Sequence, residues 1–430
     1  MKNVMLILLC LVSLFVSAQT QMGIVKTRGR LDNKGNAIPG KRISGATIQV
    51  KGKNAVVTDA NGSFSFPVPS KSFMVQSVKK QGYVLVDLDA LAIQYNYSSN
   101  PLIFVMEVPS RITADKNANV RKLRSPRPVI SSNKETRNKK TVTKQKDKLK
   151  KHNEENQYHS MTDIDMTSTR SSSHERLYIK KQSYDQLISE MAHRYTLIDY
   201  DQLDELERRI CYCILNRKFA EAESLLRSKG NIKDRINATY SVETVQTTDS
   251  TELALNQINS DSIKDRELRA KISIARDCYY LYDRFILEQK YDSAAYYLDL
   301  RASIDTLNLE WLNEAGSFIA DRLKDDIRAL AHFKNGLRLV ITQHEEQSEW
   351  GATFHENIGI VLYNLSAIIY KDNLNDKYED FLNKSIIHLL QALVIRENLL
   401  GSDDPLTQEA KEKLEFVNQQ SNQWKKKQNK

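Results

Sequence analysis

Apolar residues are spaced in three different ways along the chain. Near the start they run together, from Met5 to Val16, with Lys2 ahead of them and Val16-Ser17-Ala18 behind, before Gln19. A charged end, a short apolar core and small residues at a cut site make residues 1–18 a secretory signal. The run is too short for an ordinary membrane span. Between residues 22 and 109 short runs alternate or carry β-branched residues: Thr47-Ile48-Gln49-Val50, Ala55-Val56-Val57-Thr58, Ser63-Phe64-Ser65-Phe66, Phe73-Met74-Val75 and Leu102-Ile103-Phe104-Val105-Met106. Turn residues separate them at Asn33-Lys34-Gly35, Lys51-Gly52, Asn61-Gly62 and Gln81-Gly82. Such spacing predicts a small β-sandwich.

From residue 181 to 420 the spacing changes to three and four, the period of a helix with one buried face. Tyr184, Leu187, Ile188, Met191, Ala192 and Tyr195 make the first stripe. Helix pairs follow. Leu203, Leu206, Ile210 and Ile214 face Phe219, Ala222 and Leu226, and Cys278, Leu281 and Phe285 face Tyr291, Ala294 and Leu298 across Glu288-Gln289-Lys290. Ala315, Gly316 and Ile319 lead to Ala329, Phe333 and Gly336, and Asn357, Ile358, Gly359 and Leu362 lead to Ser385, Leu389 and Ala392. Residues 406–417 make a closing helix, 421–430 a basic tail, and 231–262 a polar, irregular loop or weak helix. Helix–turn–helix units of this kind bury their faces only by stacking. The expected fold is therefore multidomain: a small N-terminal β-sandwich, a disordered basic tether over 110–180, and a C-terminal all-α helix–turn–helix solenoid.

Three resemblances add to this reading. Ser385-Ile386-Ile387-His388-Leu389-Leu390-Gln391-Ala392-Leu393-Val394-Ile395-Arg396-Glu397, ending at Gly401 and Pro405, resembles the second helix of a tetratricopeptide repeat of the kinesin-light-chain type. Gly45-Ala46-Thr47-Ile48-Gln49-Val50, Thr58-Asp59-Ala60-Asn61-Gly62-Ser63-Phe64 and Gly82-Tyr83 resemble the carboxypeptidase regulatory-like domain of secreted Bacteroidetes proteins, with an insertion at residues 35–44. The block 180–420 resembles a Bacteroidetes family of exported tetratricopeptide-repeat proteins carrying such a β domain in front. The matching pieces include Met191-Ala192, Arg194-Tyr195, Asp199-Tyr200-Asp201-Gln202-Leu203-Asp204 and Asp292-Ser293-Ala294-Ala295-Tyr296-Tyr297-Leu298. The resemblance implies a periplasmic or cell-surface scaffold for protein–protein interaction in a Gram-negative bacterium, and no catalysis. The chain departs from it in two places. Relatives often carry a long heptad helix between the domains, where this chain has the basic tether. Gly359 stands 26 residues before Ser385, roughly four helical turns more than an ordinary repeat.

Charge and candidate chemistry change the picture little. The net charge of +9 comes from one tract, because residues 111–150 carry 14 Lys+Arg against 3 Asp+Glu. That tract reads first as a solvated linker, with a surface polyanion as its alternative contact. It holds no aromatic residue to stack a base, which argues against nucleic acid. After the signal only Cys211, Cys213 and Cys278 remain, an odd number that reads as core residues rather than a disulfide framework. His344-Glu345 is followed by Ser348 where a zinc-binding pair needs a second His, and His355-Glu356 by Gly359. Phosphate-binding Gly-rich loops and Gly-x-Ser-x-Gly elbows are absent from the sequence. No metal, cofactor or catalytic residue is expected.

The functional expectation is thus an exported, non-catalytic scaffold that holds a protein or peptide in a helical groove. By helix register Arg276, Tyr279 and Asp283 line the second repeat, Asn313, Ser317 and Asp321 the third, and Glu356, Tyr363 and Asn364 the fourth. Two alternatives stand beside it. One is a carbohydrate- or peptidoglycan-active envelope enzyme whose site the sequence does not display. The other is an accessory subunit of a TonB-dependent uptake system, since similar β domains precede such transporters.

Overall fold

The computed structural model describes residues 19–68, 72–91, 93–124, 176–180, 182–241, 253–371 and 375–428. They belong to two compact units, one drawn from 1–125 and 179–358, the other from 126–178 and 359–430. The expected signal 1–18 lies outside the described residues, as does most of the expected tether and of its basic tract. Among the described residues no helix is long and apolar enough to cross a membrane.

The N-terminal part of the first unit is built from two four-stranded sheets. One has the order β6 (Ser63–Val68), β1 (Gln19–Thr27), β10 (Leu102–Glu107), β8 (Val84–Leu85). The other runs β5 (Val56–Val57), β4 (Thr47–Val50), β7 (Ser72–Lys79), β9 (Gln94–Asn96), and β2 (Arg30–Leu31) pairs with β3 (Ala37–Ile38). Strand β1 lies parallel to β10 and antiparallel to β6. The alternation seen in the sequence sets the burial. Phe64, Phe66 and Val68 point inward from β6 while Ser65 and Pro67 face out. They join Val25, Ile48, Val75, Phe104 and Met106 in one core. Each such side chain contributes about 1.5–3 kcal/mol on burial. Asp59 shapes a turn, its Oδ1 accepting the N–H groups of Asn61 and Ser63, both at 2.8 Å. Gly62 in that turn has φ of +70°, and a Cβ there would meet the Val25 carbonyl at 2.6 Å.

The stretch expected to be tether from residue 110 opens as a helix, α1 (Pro109–Arg124). Proline fits the first helical position, and Arg121, Lys122 and Arg124 complement the dipole of the last turn. The helix is apolar-poor, with Leu123 its one fully buried side chain, and owes its order to its neighbours. Asp115 pairs with Arg28, Asn119 donates to Thr196 at 3.0 Å, and the Leu123 carbonyl accepts from Arg217 at 2.6 Å.

The helices that follow are α2 (Tyr184–Leu197), α3 (Glu205–Leu215), α4 (Phe219–Ser228), α5 (Ile232–Ser241) and α6 (Leu253–Leu287). Then come α7 (Tyr291–Ile304), α8 (Leu309–Phe318), α9 (Asp326–Thr342), α10 (Glu349–Lys371), α11 (Asn375–Leu400) and α12 (Pro405–Gln428). Residues 231–262, expected as a loop or weak helix, are helical over 232–241 and 253–262. Ile236 explains why: on α5 it packs with Ile274, Cys278 and Ile304.

Three connections share one geometry. Arg217, Gln289 and His344 adopt left-handed φ of 56°, 57° and 58° after α3, α6 and α9. In each, the next N–H reaches back five residues: Lys218 to Cys213 (2.7 Å), Lys290 to Phe285 (2.9 Å), Glu345 to Val340 (3.0 Å). This Schellman closure satisfies carbonyls that a helix end leaves open.

Glycines let neighbouring helices approach. A Cβ on Gly316 would fall 2.5 Å from the Phe333 ring, and one on Gly336 would fall 2.2 Å from the Phe354 ring. In the second unit, Gly359 leaves room for Leu389, and Ser385 Oγ donates to the Gly359 carbonyl at 2.7 Å. Within the long Gly359-to-Ser385 spacing the described residues, 360–371 and 375–384, are helical, belonging to α10 of 23 residues and α11 of 26. Helix α12 closes the unit. It runs to Gln428 with Trp424 nearly buried against Tyr378, so the basic tail expected from 421 is mostly the last turns of a packed helix.

Candidate functional site

Two polar constellations stand out in the first unit. The first joins the β domain to the helices. Lys26, on β1 and 6% exposed, places Nζ 2.9 Å from both Asp199 and Asp201. The same carboxylates collect backbone N–H groups, Gly29 on Asp199 at 2.5 Å and Gly40 on Asp201 at 2.8 Å. Tyr200 N–H returns to the Gly29 carbonyl at 3.3 Å. Burial opposes the charge of Asp201, but the Gly40 N–H and Lys26 outweigh it and hold its carboxyl below the ordinary range. The insertion at 35–44 thus serves as a contact arm, and Tyr212 Oη extends it by donating to the Asn33 carbonyl at 2.9 Å.

The second constellation lies on the face of α6, α8 and the π-helical turn Ile319–Leu323 that continues α8. It surrounds a cavity of about 240 Å3 lined by Glu190, Arg194, Asn313, Ser317, Asp321 and Arg322, among others. The chain's own Ile179, Lys180 and Gln182 sit there. Asp321 accepts the N–H of Ile179 on Oδ1 at 3.2 Å and that of Lys180 on Oδ2 at 2.7 Å. Arg322 donates to the Gln182 carbonyl. Glu190 receives Lys180 Nζ at 3.0 Å and Gln182 Nε2 at 2.6 Å. Burial works against the Glu190 charge, but these two partners prevail and its carboxyl titrates below the ordinary range. Ser183 then caps α2 in a reciprocal box with Gln186, so the held stretch runs straight into a helix.

Deeper in, Asp283 is 1% exposed and paired with Arg194. Burial raises the Asp283 carboxyl despite that partner. Tyr279 lies between two guanidinium groups, Arg194 at 4.7 Å and Arg301 at 4.2 Å from its ring centre, and donates to Glu314 at 2.5 Å. Arg276 pairs with Glu207 at 2.7 Å.

The structure therefore divides the nine residues expected to line a groove. Asn313, Ser317 and Asp321 face the cavity together. Asn313 also accepts from Asn357 at 2.7 Å. Tyr279 and Asp283 do not line an open face, because α2 lies over them through Arg194, a helix that register reasoning left outside the repeats. Glu356 is buried, 5% exposed. In the second unit, Tyr363 is fully buried and meets Phe416 of α12 edge-on at 5.5 Å, so it is a core residue. Asn364 is also buried, yet it grips backbone. Its Oδ1 accepts from Leu177 N–H at 3.1 Å and its Nδ2 donates to the Leu177 carbonyl at 3.0 Å. Sequence reasoning missed Glu190, Arg194 and Arg322. The signal for the first two was the capping pattern Ser183-x-x-Gln186, which starts a helix just where the held stretch ends.

The three thiols are buried and unpaired with one another. Burial pushes Cys211 and Cys278 up to about 12 and Cys213 to about 11, so they are neutral core groups at ordinary pH. Among the described residues no cluster of His, Cys, Asp and Glu is arranged to hold a metal ion. The chain matches no protein-family model and no curated protein.

Proposed function

We propose that the protein is an exported, non-catalytic scaffold whose helices form a tetratricopeptide-like solenoid and bind a protein or peptide segment on the face of α8. The observation that carries this reading is the pair of N–H groups on Asp321. A carboxylate that collects main-chain donors recognises a peptide whatever its side chains. Asn313 and Ser317 beside it add further donors and acceptors. The recurrent turns and the glycine-for-ring packing support a repeat architecture. The signal pattern at 1–18 supports export.

Glu190 and Asp283 favour binding over proton transfer. A general acid needs a raised pKa in reach of substrate, whereas Glu190 is lowered and the raised Asp283 lies buried behind Arg194. The test is a capture experiment from the envelope of the native organism with the triple variant Asn313→Ala, Ser317→Ala, Asp321→Ala. Helicity is checked by circular dichroism. Bound partner falls at least about tenfold if the face carries on the order of 1.4 kcal/mol of the binding energy. A folded triple variant that captures the same partners at full strength moves the binding site elsewhere.

A further inference from the structure

We propose that the Asp321 face takes a short lysine-bearing peptide segment of a partner protein, and that the chain's own Ile179, Lys180 and Gln182 occupy this site as a built-in competitor. The inference rests on the peptide-binding reading above and adds to it the partner's chemistry and its regulation.

The held stretch is not helical, and it bends at Ile179 and Lys180. That bend matters, since successive N–H groups of a straight strand point to opposite sides. Here both turn onto one carboxylate. The site thus reads two adjacent main-chain donors, one carbonyl through Arg322, and one ammonium through Glu190. Three of these contacts are to backbone, so another chain with the same bend can make them. The fourth asks for a lysine. Proline is excluded at both donor positions, because it has no N–H.

The contacts also sit where exchange is feasible. Lys180 is exposed, and its ammonium is largely solvated even while paired with Glu190. No apolar side chain of 179–182 is fully buried, so release costs little hydrophobic area. A segment whose interactions are mostly main-chain and charged, at a wet edge, is replaced by a similar segment more readily than a buried one.

The experiment uses the full chain and a fluorescein-labelled peptide with the sequence of residues 176–184, titrated by anisotropy. Lys180→Pro removes the N–H that Asp321 Oδ2 accepts and the ammonium that Glu190 holds, while leaving the site intact. It is expected to bind the peptide about tenfold more tightly than the parent. Adding Asp321→Ala to it should bring the affinity back to the parent's level or below. A peptide with proline in the Lys180 position should bind at least about tenfold more weakly than the labelled one. Should Lys180→Pro perturb folding, Lys180→Glu with Gln182→Ala weakens the same stretch without touching the backbone, and about a threefold gain is expected. Equal peptide affinity in the parent and in the folded strap variants overturns the built-in competitor. If capture of natural partners still depends on Asn313, Ser317 and Asp321 in that case, the peptide-binding reading survives alone. If neither assay responds to Asp321→Ala, both fall.

Discussion

The molecule uses aspartate to hold backbone N–H groups in two places, and the two differ in what surrounds the carboxylate. At Asp199 and Asp201 a nearly buried lysine sits between two acids, and Gly29 and Gly40 deliver their N–H groups from a packed β domain. At Asp321 the N–H groups come from a bent, half-exposed stretch, and that stretch's own ammonium, on Lys180, reaches Glu190 rather than Asp321. Identical hydrogen-bond chemistry thus makes a fixed joint in one place and an exchangeable contact in the other. Burial decides which. Inside, removing one partner strands a charge; at the edge, water replaces it.

The comparison breaks most sharply at Lys26. Lys26→Met removes the ammonium that bridges Asp199 and Asp201 and should lower stability by about 3–5 kcal/mol, measured by urea unfolding. A loss under about 1 kcal/mol would mean that the joint is as loose as the edge site. Hydrogen exchange should separate the sites without mutation. The amides of Gly29 and Gly40 should exchange at least about 100-fold more slowly than those of Ile179 and Lys180, and equal rates would erase the distinction. Asp321→Ala, by contrast, frees two amides that water can reach and should cost about 1–2 kcal/mol. A calorimetric melt reads that as a drop of a few degrees. The smallest effect concerns acid. The Glu190 carboxyl is lowered in the folded state, so its contribution is present above the ordinary value of 4.5 and fades as pH falls through the lower folded value. Glu190→Gln should remove that part of the acid sensitivity, worth under about 1 kcal/mol for so exposed a pair. Acid midpoints that coincide in parent and variant would show that Glu190 does not hold the stretch.

Much of the helical part was legible because its cues are local. Ala294, Gly316, Gly336, Ser385, Leu389 and Ala392 are small or apolar at helical spacing, and all are buried or nearly so. The β-strands were legible for the same reason, Phe64 and Phe66 alternating with exposed neighbours. Helix α1 was not. Its sequence holds too little apolar surface to declare a buried face, and what orders it are contacts from Arg28, Thr196 and Arg217, distant in sequence. The groove was legible only in part. Asn313, Ser317 and Asp321 share one cavity wall, as their helical spacing implies, but register cannot say what lies across a face. Arg194 over Tyr279 and Phe416 against Tyr363 are long-range facts. The pairing of Lys26 with Asp199 and Asp201 is of the same kind, since charge spacing along the chain carries no sign of it.

The three left-handed turns bear on how such a molecule changes over generations. Asn216-Arg217-Lys218, Glu288-Gln289-Lys290 and Gln343-His344-Glu345 share almost no side-chain chemistry, yet they close with the same main-chain bonds. The angle at which each new helix departs is stored in amide and carbonyl positions that nearly every substitution leaves in place. A helix–turn–helix unit closed in this way can therefore change its turn residues letter by letter while its shape stays almost unaltered.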